Sequence, residues 1–410
     1  MSGPLTGIRI IDITSVLMGP YATQLLGDMG AEVIKVEPPE GDTVRNIGPA
    51  RHRGMAGVFL QANRGKRSLV LDLKSAQGRE ALLRLAASAD VLIYNVRPQA
   101  MARLGLDHAS VAAVNPRILY VGVYGYGQQG PYAAKPAYDD LIQGAVALPT
   151  LALQAGAEVP RYVPSAMADR IVGMSAVNAV SAGLFHRERT GQGQAIEVPM
   201  FETMAQFVLS DHLGGLTFDP PAGPPGYARL LDEHRRPYAT QDGYLCVMLY
   251  NDQHWRRFLA LAGTPGLMDD DPRFADISRR TEHIHALYAL VAQVLATQTS
   301  AYWRERLEQA DIPVMPLHTV ESLLQDPHLN AVDFFQHIEH PSEGQVLSMA
   351  VPSRWSVTQP RPGRPAPRLG QHSREVLAEV GYDDAQIEAM AEHGATRLDP
   401  AQAIPARDNA

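Results

Sequence analysis

The N-terminal segment of the chain contains two short apolar runs joined through a helix-like stretch. Residues 8–13 and 32–36 are rich in β-branched side chains, while residues 20–29 begin with a proline and are followed by Gly30. Proline is tolerated in the first turn of a helix, and glycine commonly ends one. Two strands joined through a helix within about 30 residues form a βαβ unit, whose strands are parallel. The chain therefore begins as an α/β fold.

The same alternation of strand-like and helix-like segments continues as far as about residue 200. It predicts strands at residues 68–73, 90–94, 118–123 and 195–199 and helices at residues 76–87, 99–104 and 168–189. The last of these helices carries small residues at regular spacing, among them Gly173, and Gly191 lies just beyond its end. We expect this helix to pack closely on the sheet.

The composition of the second half differs from that of the first. A Pro/Gly-rich stretch at residues 219–226 precedes a predicted hairpin at residues 238–250, and helices are predicted at residues 253–262, 284–297 and from 373. We predict a large Rossmann-like parallel-sheet domain at residues 1–215 and a smaller α+β domain at 225–325. Residues 326–410 are expected to form a linker and a C-terminal segment that returns to the large domain.

Charge and composition limit the classes of partner. The 410 residues carry a formal net charge of −8, which offers no general attraction to nucleic acid or to an anionic membrane. No apolar run approaches the length of a membrane span. The single cysteine, Cys246, allows no disulfide within the chain. No secretory signal is evident, so we expect a cytoplasmic protein that binds neither nucleic acid nor membrane.

Several common catalytic motifs are missing from the sequence. The turn after the first strand, residues 15–20, has one glycine where the dinucleotide-binding fingerprint has three. There is no Gly-Lys-Ser/Thr phosphate loop, and the segment 173–177 lacks the second glycine of a nucleophile elbow. The fourteen histidines never form a His-Glu-x-x-His arrangement, so we expect no metal site. The chemistry is left to carboxylates, hydroxyls or backbone donors.

A series of short strings in a fixed order resembles the class III CoA-transferase family, also called the CaiB/BaiF family. The strings occupy residues 4–12, 18–20, 30–37, 63–68, 71–74, 90–98, 103–106, 115–117, 125–131, 168–169, 190–194 and 242–243. The resemblance implies that ring-shaped subunits form an interlocked homodimer. It also implies that an acyl-CoA thioester and small carboxylic acids are the substrates and that no cofactor is bound permanently.

Asp169 has two interpretations. From its position alone, at the start of a predicted helix, it is a helix cap. The resemblance implies instead that its carboxylate is the nucleophile that carries CoA between acids through an aspartyl anhydride and an aspartyl-CoA thioester. We expect the helix N-terminus to lower the pKa of this carboxylate and its free amides to stabilise an oxyanion.

The resemblance also implies a set of CoA-binding residues. For the basic residues of this set, the alternative interpretation is a solvated surface charge. At Lys135 the match to the family is offset by one position. Leu17 stands where one subgroup has glutamine, and Pro38 where part of the family has a basic residue. The set comprises Val16, Leu17, Met18, Leu71, Lys74, Asn95, Val96, Arg97, Arg103, Lys135, Tyr138 and Asp139.

Tyr138 and Asp139 bear on the reaction type. The 2-methylacyl-CoA racemases of the family need a histidine base where this chain has Tyr138, and a tyrosine exchanges protons poorly at neutral pH. The sequence therefore favours CoA transfer over racemisation, with a non-catalytic CoA-binding protein as a further alternative. Asp139 is interpreted either as a group near the nucleophile or as the N-cap of a helix from Leu141.

One basic segment of the sequence bears on which carboxylic acids are the substrates. The loop at residues 223–238 contains His234, Arg235 and Arg236 in succession. One interpretation is that a base of this loop pairs with a second carboxylate, which makes the substrates dicarboxylic acids. The other is a solvated basic turn.

Overall fold

The computed structural model describes residues 3–399, so residues 1–2 of the predicted first domain and 400–410 of the predicted C-terminal segment lie outside the described residues. The strands are β1 (Arg9–Ile13), β2 (Glu32–Glu37), β3 (Lys66–Val70), β4 (Val91–Tyr94), β5 (Leu119–Tyr124), β6 (Gln194–Pro199), β7 (Tyr238–Ala239), β8 (Tyr244–Val247), β9 (Val314–Pro316), β10 (Phe335–His340) and β11 (Gly344–Met349). The helices are α1 (Met18–Asp28), α2 (Gly57–Ala62), α3 (Ala76–Ala86), α4 (Pro98–Arg103), α5 (His108–Val114), α6 (Asp139–Ala145), α7 (Leu148–Gln154), α8 (Met167–Thr190), α9 (Met200–His212), α10 (Ala228–Leu231), α11 (Asp252–Leu261), α12 (Leu267–Asp270), α13 (Ile277–Glu282), α14 (Ile284–Leu295), α15 (Ser300–Gln309), α16 (Val320–Leu323), α17 (Pro327–Ala331), α18 (Ser373–Glu379) and α19 (Asp384–Glu392).

Six of the strands form one parallel sheet in the order β3-β2-β1-β4-β5-β6. This confirms the parallel sheet predicted from the N-terminal βαβ unit. The chain runs outward from β1 toward β3 and then returns to the other side of β1 at β4. In an open sheet of this kind, ligands bind beyond the carboxyl ends of the strands at the point where the order reverses.

The sheet is held by apolar side chains that are buried on its strands and on the helix that covers them. Ile11, Ile34 and Leu92 lie side by side on three neighbouring strands and are fully buried. Leu82 and Leu85 of α3 belong to the same cluster. Strands buried on both faces have near-continuous apolar sequences, which is why the pattern predicted them correctly.

Strand β3 begins and ends earlier than predicted. It covers Lys66–Val70, whereas the sequence indicated residues 68–73. Lys66 is fully buried because its ammonium pairs with Asp12 at 2.9 Å, and Arg67 pairs with Glu379 at 2.7 Å. The charged start of this strand was not recognised because its partners lie far away in the sequence.

The small residues of α8 serve two contacts. A Cβ on Gly183 would lie 2.9 Å from a side-chain atom of Leu119 on β5, so this part of the helix packs on the sheet as expected. A Cβ on Gly173 would lie 2.9 Å from the carbonyl oxygen of Met18. The first half of α8 therefore packs against α1, a contact that the sequence did not indicate.

By its contacts the chain divides into two compact units. One comprises residues 3–143, Pro164–Ala205 and 327–399, and the other comprises Gly144–Val163 and Gln206–Asp326. The second unit contains the small antiparallel sheet β7-β8-β9, and the predicted hairpin is the antiparallel pair β7 and β8. Its core includes the buried rings of Trp255, Phe258 and Trp303. The domain boundaries given above stay predictions.

The C-terminal part of the first unit is hydrogen-bonded to strand β3. The hydroxyl of Ser373 accepts the Val70 amide at 3.1 Å, and the imidazole of His372 accepts the Ser68 amide at 3.1 Å. Between residues 3 and 399, no helix is both long and apolar enough to cross a membrane.

Candidate active site

The connection between β1 and α1 lines a cavity of about 440 Å³ at the carboxyl ends of the parallel strands. The predicted site residues around it come from this connection, from the segment after β4, from the approach to α6 and from the start of α8. They are Val16, Leu17, Met18, Asn95, Val96, Arg97, Lys135, Tyr138, Asp139 and Asp169. The fold thus brings together ten side chains that are spread over more than 150 positions of sequence.

A second cavity, of about 540 Å³, adjoins the first, since both are lined by Ser15 and Val96. Among the predicted residues it is also lined by Leu71 and by the exposed Lys74. Arg103 lines neither cavity. It is exposed at the end of α4, next to Leu104, which does line the second one.

Asp169 is the third residue of α8, whose first residue is Met167. The N-cap position belongs to Ala166, which makes no side-chain capping bond. The interpretation of Asp169 as a helix cap is therefore wrong. Its carboxylate lies in the first turn, where a negative charge is compatible with the helix dipole.

Asp139 supplies the cap that α8 lacks. One carboxylate oxygen of Asp139 accepts the backbone amide of Asp169 at 2.8 Å, and the other accepts the Gln143 side-chain amide at 2.5 Å. Helix α6 begins at Asp139 itself, so the prediction that this residue is the N-cap of a helix from Leu141 is wrong. Because the Asp169 amide donates to Asp139, it is not one of the free amides expected for an oxyanion.

The pKa of Asp169 moves in the direction opposite to the one expected from the helix dipole. Burial and the nearby charge of Asp139 raise the pKa of the Asp169 carboxyl to about 7, although Arg170 acts in the opposite sense. Loss of hydration and a like charge both disfavour ionisation, and together they outweigh a helix N-terminus. The site holds two neighbouring carboxyl groups, one of which takes up a proton near neutral pH.

The other predicted residues differ in what they contact. Asn95 uses both ends of its amide on the Ser15 backbone, at 3.0 and 2.8 Å, so it fixes the β1–α1 connection. Leu17 is buried. Its apolar side chain offers no polar contact at the position where one subgroup of the family has glutamine. The Lys135 ammonium lies 3.6 Å from the Tyr132 ring centroid, and Arg97 donates to the Ala134 carbonyl at 3.1 Å.

Tyr138 lies at the mouth of the same cavity. It is 68% exposed. Its side chain is therefore largely in contact with solvent.

Some cavity residues were missed in the sequence. Tyr124 is the last residue of β5 and Gly125 follows it, Ala137 precedes Tyr138, and Met200 follows the end of β6. The rule that parallel strands present their carboxyl ends at one edge could have identified Tyr124 and Met200. A Cβ on Gly125 would lie 2.3 Å from the Ala137 Cβ, which explains the glycine there.

The basic segment at residues 234–236 belongs to the second unit. Arg235 and Arg236 line a cavity of about 360 Å³ whose other walls are mainly apolar, including Tyr238 and Met248. The ring of His234 instead packs on that of His285, with centroids 4.7 Å apart. The two arginines are thus the members of the segment that are placed to meet an anionic ligand.

One group of metal-ligand type occurs within residues 3–399. Glu233, His234 and His285 each place a ligand-type atom within 4.8 Å of the others. The absence of a metal site stays a prediction.

Comparison with known proteins adds a family to this geometry. Residues 5–373 match the model of CoA-transferase family III. The chain is 34% identical to the succinate–glutarate CoA-transferase of Agrobacterium fabrum, over 92% of this chain and 96% of that protein. It is 32% identical to the acetyl-CoA:oxalate CoA-transferase of Acetobacter aceti, over 94% and 97%. The crystal structure of a CaiB/BaiF family protein from Brucella suis matches 93% of this chain and all of that one, with 31% identity and a TM-score of 0.77.

Proposed function

Because the chain belongs to CoA-transferase family III and is a CoA-transferase, we propose that Asp169 is the group through which it exchanges CoA between two carboxylic acids. The observation that carries this proposal is the cavity at the carboxyl ends of the strands, which joins Asp169 and Asp139 to the residues expected to bind CoA. The resemblance that the sequence shows to the family concerns the same residues.

The first half of the proposed reaction activates Asp169. A carboxylate oxygen of Asp169 attacks the thioester carbonyl of the donor acyl-CoA, the carbon–sulfur bond breaks, and CoA leaves as a thiolate. The product is a mixed anhydride between the acyl group and Asp169. The thiolate then attacks the aspartyl carbonyl, so the donor acid departs as a carboxylate and CoA is attached to Asp169 as a thioester.

The second half repeats these steps with the acceptor acid. Its carboxylate attacks the aspartyl-CoA carbonyl and displaces the thiolate, and the thiolate attacks the acceptor carbonyl of the new anhydride. Asp169 leaves as a carboxylate. One activated acyl bond is exchanged for another at every step, so the reaction requires neither ATP nor a metal ion.

The two adjoining cavities suit the two ends of CoA. The exposed ammonium of Lys74 lies at the second cavity, where it supplies positive charge for phosphate groups, while Leu71 offers an apolar wall. The buried side chains of Leu17 and Met18 line the first cavity beside Asp169. In this proposal the nucleotide lies in the second cavity and the thioester in the first.

The acceptor in this proposal is a dicarboxylic acid. The two relatives described above are named for succinate, glutarate and oxalate, all of which carry two carboxylates. The arginines of the basic segment, Arg235 and Arg236, line an otherwise apolar cavity of the second unit. An arginine pairs with a carboxylate through two parallel hydrogen bonds, which selects for the second acid group.

The test of CoA transfer uses a donor acyl-CoA with an isotopically labelled acceptor acid and follows the labelled acyl-CoA by mass. We expect Asp169→Asn to reduce exchange by at least about 1,000-fold, since the nucleophile is lost. Asp140→Asn, which alters an exposed neighbour of Asp139, is the matched control and should retain activity. Full activity of Asp169→Asn would contradict the mechanism, and α-deuterium uptake by a 2-methylacyl-CoA would support racemisation instead.

The test of the acceptor class compares mono- and dicarboxylic acids across arginine variants. We expect Arg235→Ala and Arg236→Ala to raise KM for dicarboxylic acceptors about 10-fold or more with a smaller effect on monocarboxylic ones. Arg304→Ala, at an exposed position of α15 in the same unit, is the control. A uniform preference for monocarboxylic acids in the unsubstituted enzyme would contradict this part of the proposal.

A further inference from the structure

The connection between β1 and α1, residues 14–17, has an unusual backbone at Val16. Its φ angle is +68°, in the left-handed region. A β-branched residue is disfavoured there because its side chain crowds the backbone, and such a conformation persists only when the surroundings enforce it. Val16 and its neighbour Leu17 line the cavity that contains Asp169.

Asp42 lies where it enforces this conformation. Its two carboxylate oxygens accept the Val16 amide at 3.1 and 3.2 Å. The same carboxylate accepts the Val44 amide at 3.1 Å and the Lys35 ammonium at 2.9 Å. All of these partners are donors, so the position requires a group that only accepts, and an ionised carboxylate is the side chain that meets this requirement.

Lys35 links Asp42 to Thr14, two positions before the strained residue. Its ammonium, which is fully buried, also donates to the Thr14 carbonyl at 2.9 Å. Burial opposes the charge on Lys35, but the carboxylates of Asp12, Asp42 and Glu37 outweigh it and hold the pKa of Lys35 above its usual value. The Lys35–Asp42 pair therefore holds the connection at two points, the Thr14 carbonyl and the Val16 amide.

We propose that Asp42 is a positioning residue for CoA transfer: through its bond to the Val16 amide it holds the β1–α1 connection against the cavity of Asp169. This inference rests on the proposed function, since it assigns Asp42 a part in the same site. The Asp42 carboxylate does not touch the reacting atoms and acts through Val16 and Leu17. If the β1–α1 connection shifted by about 1 Å, the thioester would be misplaced relative to the nucleophile.

The decisive experiment is a double-substitution cycle. Asp42→Asn replaces an acceptor by an amide that must turn its NH₂ group toward one of the donors. We expect it to lower kcat/KM for CoA exchange by about 10- to 100-fold. Glycine adopts positive φ without strain, so in the presence of Val16→Gly the further change Asp42→Asn should cost less than about threefold. An equal loss in both backgrounds would overturn the proposal.

A matched control separates positioning from general stability. Asp28 is also a buried aspartate in an ion pair, with Arg64 at 2.7 Å, and it lies at the other end of α1 from the cavity. Asp28→Asn makes the same chemical change without contacting residues 14–17. It should leave kcat/KM within about threefold of the unsubstituted enzyme at temperatures where the protein is folded. A loss equal to that of Asp42→Asn would overturn the proposal.

A measurement on the unsubstituted enzyme keeps the proposal testable if Asp42→Asn does not fold. The Val16 amide should exchange with deuterium at least about 100-fold more slowly than an unstructured amide, because it donates to a buried carboxylate. Exchange at the unstructured rate would overturn the proposal. This measurement does not depend on activity. A chain that protects the Val16 amide but exchanges no CoA would contradict the proposed function alone.

Discussion

The pair formed by Asp139 and Asp169 shows how one residue can serve structure and chemistry together. Asp139 accepts the amide of Asp169 and so replaces the cap that Ala166 does not provide. The same carboxylate raises the pKa of Asp169 by its charge. A capping bond of this kind is worth about 1 kcal/mol, which partly offsets the repulsion between the two acids.

The raised pKa predicts the pH dependence of the reaction. Only ionised Asp169 is a nucleophile, so kcat/KM should rise with pH and level off above about 7. Asp139→Asn keeps an acceptor for the Asp169 amide but removes a negative charge, and this should move the midpoint to lower pH. The measurement is a pH profile of CoA exchange with Asp140→Asn as control. A midpoint that stays in place or moves to higher pH would contradict the assignment.

The same pKa predicts how stability changes with pH. The folded chain holds the Asp169 proton up to about 7, whereas the ordinary pKa is 3.8, so the folded state loses stability as pH rises through this interval. Asp169→Asn removes that loss. We expect the variant to be more stable than the parent by about 1–3 kcal/mol at pH 8, and by less at pH 4. Urea unfolding at both pH values measures this; a difference that does not depend on pH would disprove it.

At the scale of elements, the close contact between α1 and α8 joins the two walls of the cavity. A Cβ at Gly173 would lie 2.9 Å from the Met18 carbonyl and 3.0 Å from the Tyr21 ring. We expect Gly173→Ala to lower the free energy of unfolding by about 1–3 kcal/mol and to reduce activity, because α1 must shift.

The control for this prediction is a second helical glycine. A Cβ at Gly27 of α1 would meet the Val33 side chain at an ordinary 3.5 Å. Gly27→Ala should leave stability unchanged or raise it by up to about 1 kcal/mol, since alanine is the better helix former. Both values come from urea unfolding. The account of the contact fails if the two substitutions have equal effects.

The elements that the sequence predicted correctly are those whose own residues carry the signal. The apolar strands of the parallel sheet and the long helix ending near Gly191 are examples. The errors arose where a distant residue decides the outcome. Lys66 can be buried in a strand because it pairs with Asp12, and helix α8 needs no cap from Asp169 because Asp139 supplies one. Such partners are set by the fold and cannot be read from spacing.

At the scale of the whole molecule, the resemblance to the family predicts a homodimer. Helix α8 exposes Met174 to 46% and Phe185 to 65%, and large exposed apolar side chains commonly mark surfaces that bind another protein. We expect light scattering to give twice the 44.6 kDa of the chain at micromolar concentration. Phe185→Asp should shift the distribution toward the monomer. A single-chain mass for the unsubstituted protein at every concentration would contradict the assembly.

The positions of the cavities follow from the fold more than from the sequence. The sequence indicated most of the side chains around Asp169 through the family resemblance, and the sheet order explains why they meet. The supporting pair of Lys35 and Asp42 was not recognised, because two charged residues seven positions apart look like surface residues until their burial is known.

The central claim is that Asp169 becomes covalently attached during CoA transfer, and chemical trapping tests it most directly. The enzyme is incubated with a donor acyl-CoA, treated with hydroxylamine, and digested for peptide mass analysis. We predict an aspartyl hydroxamate at Asp169 that depends on acyl-CoA and does not form in Asp169→Asn. Modification of another residue, or CoA exchange by Asp169→Asn at the parent rate, would contradict the account.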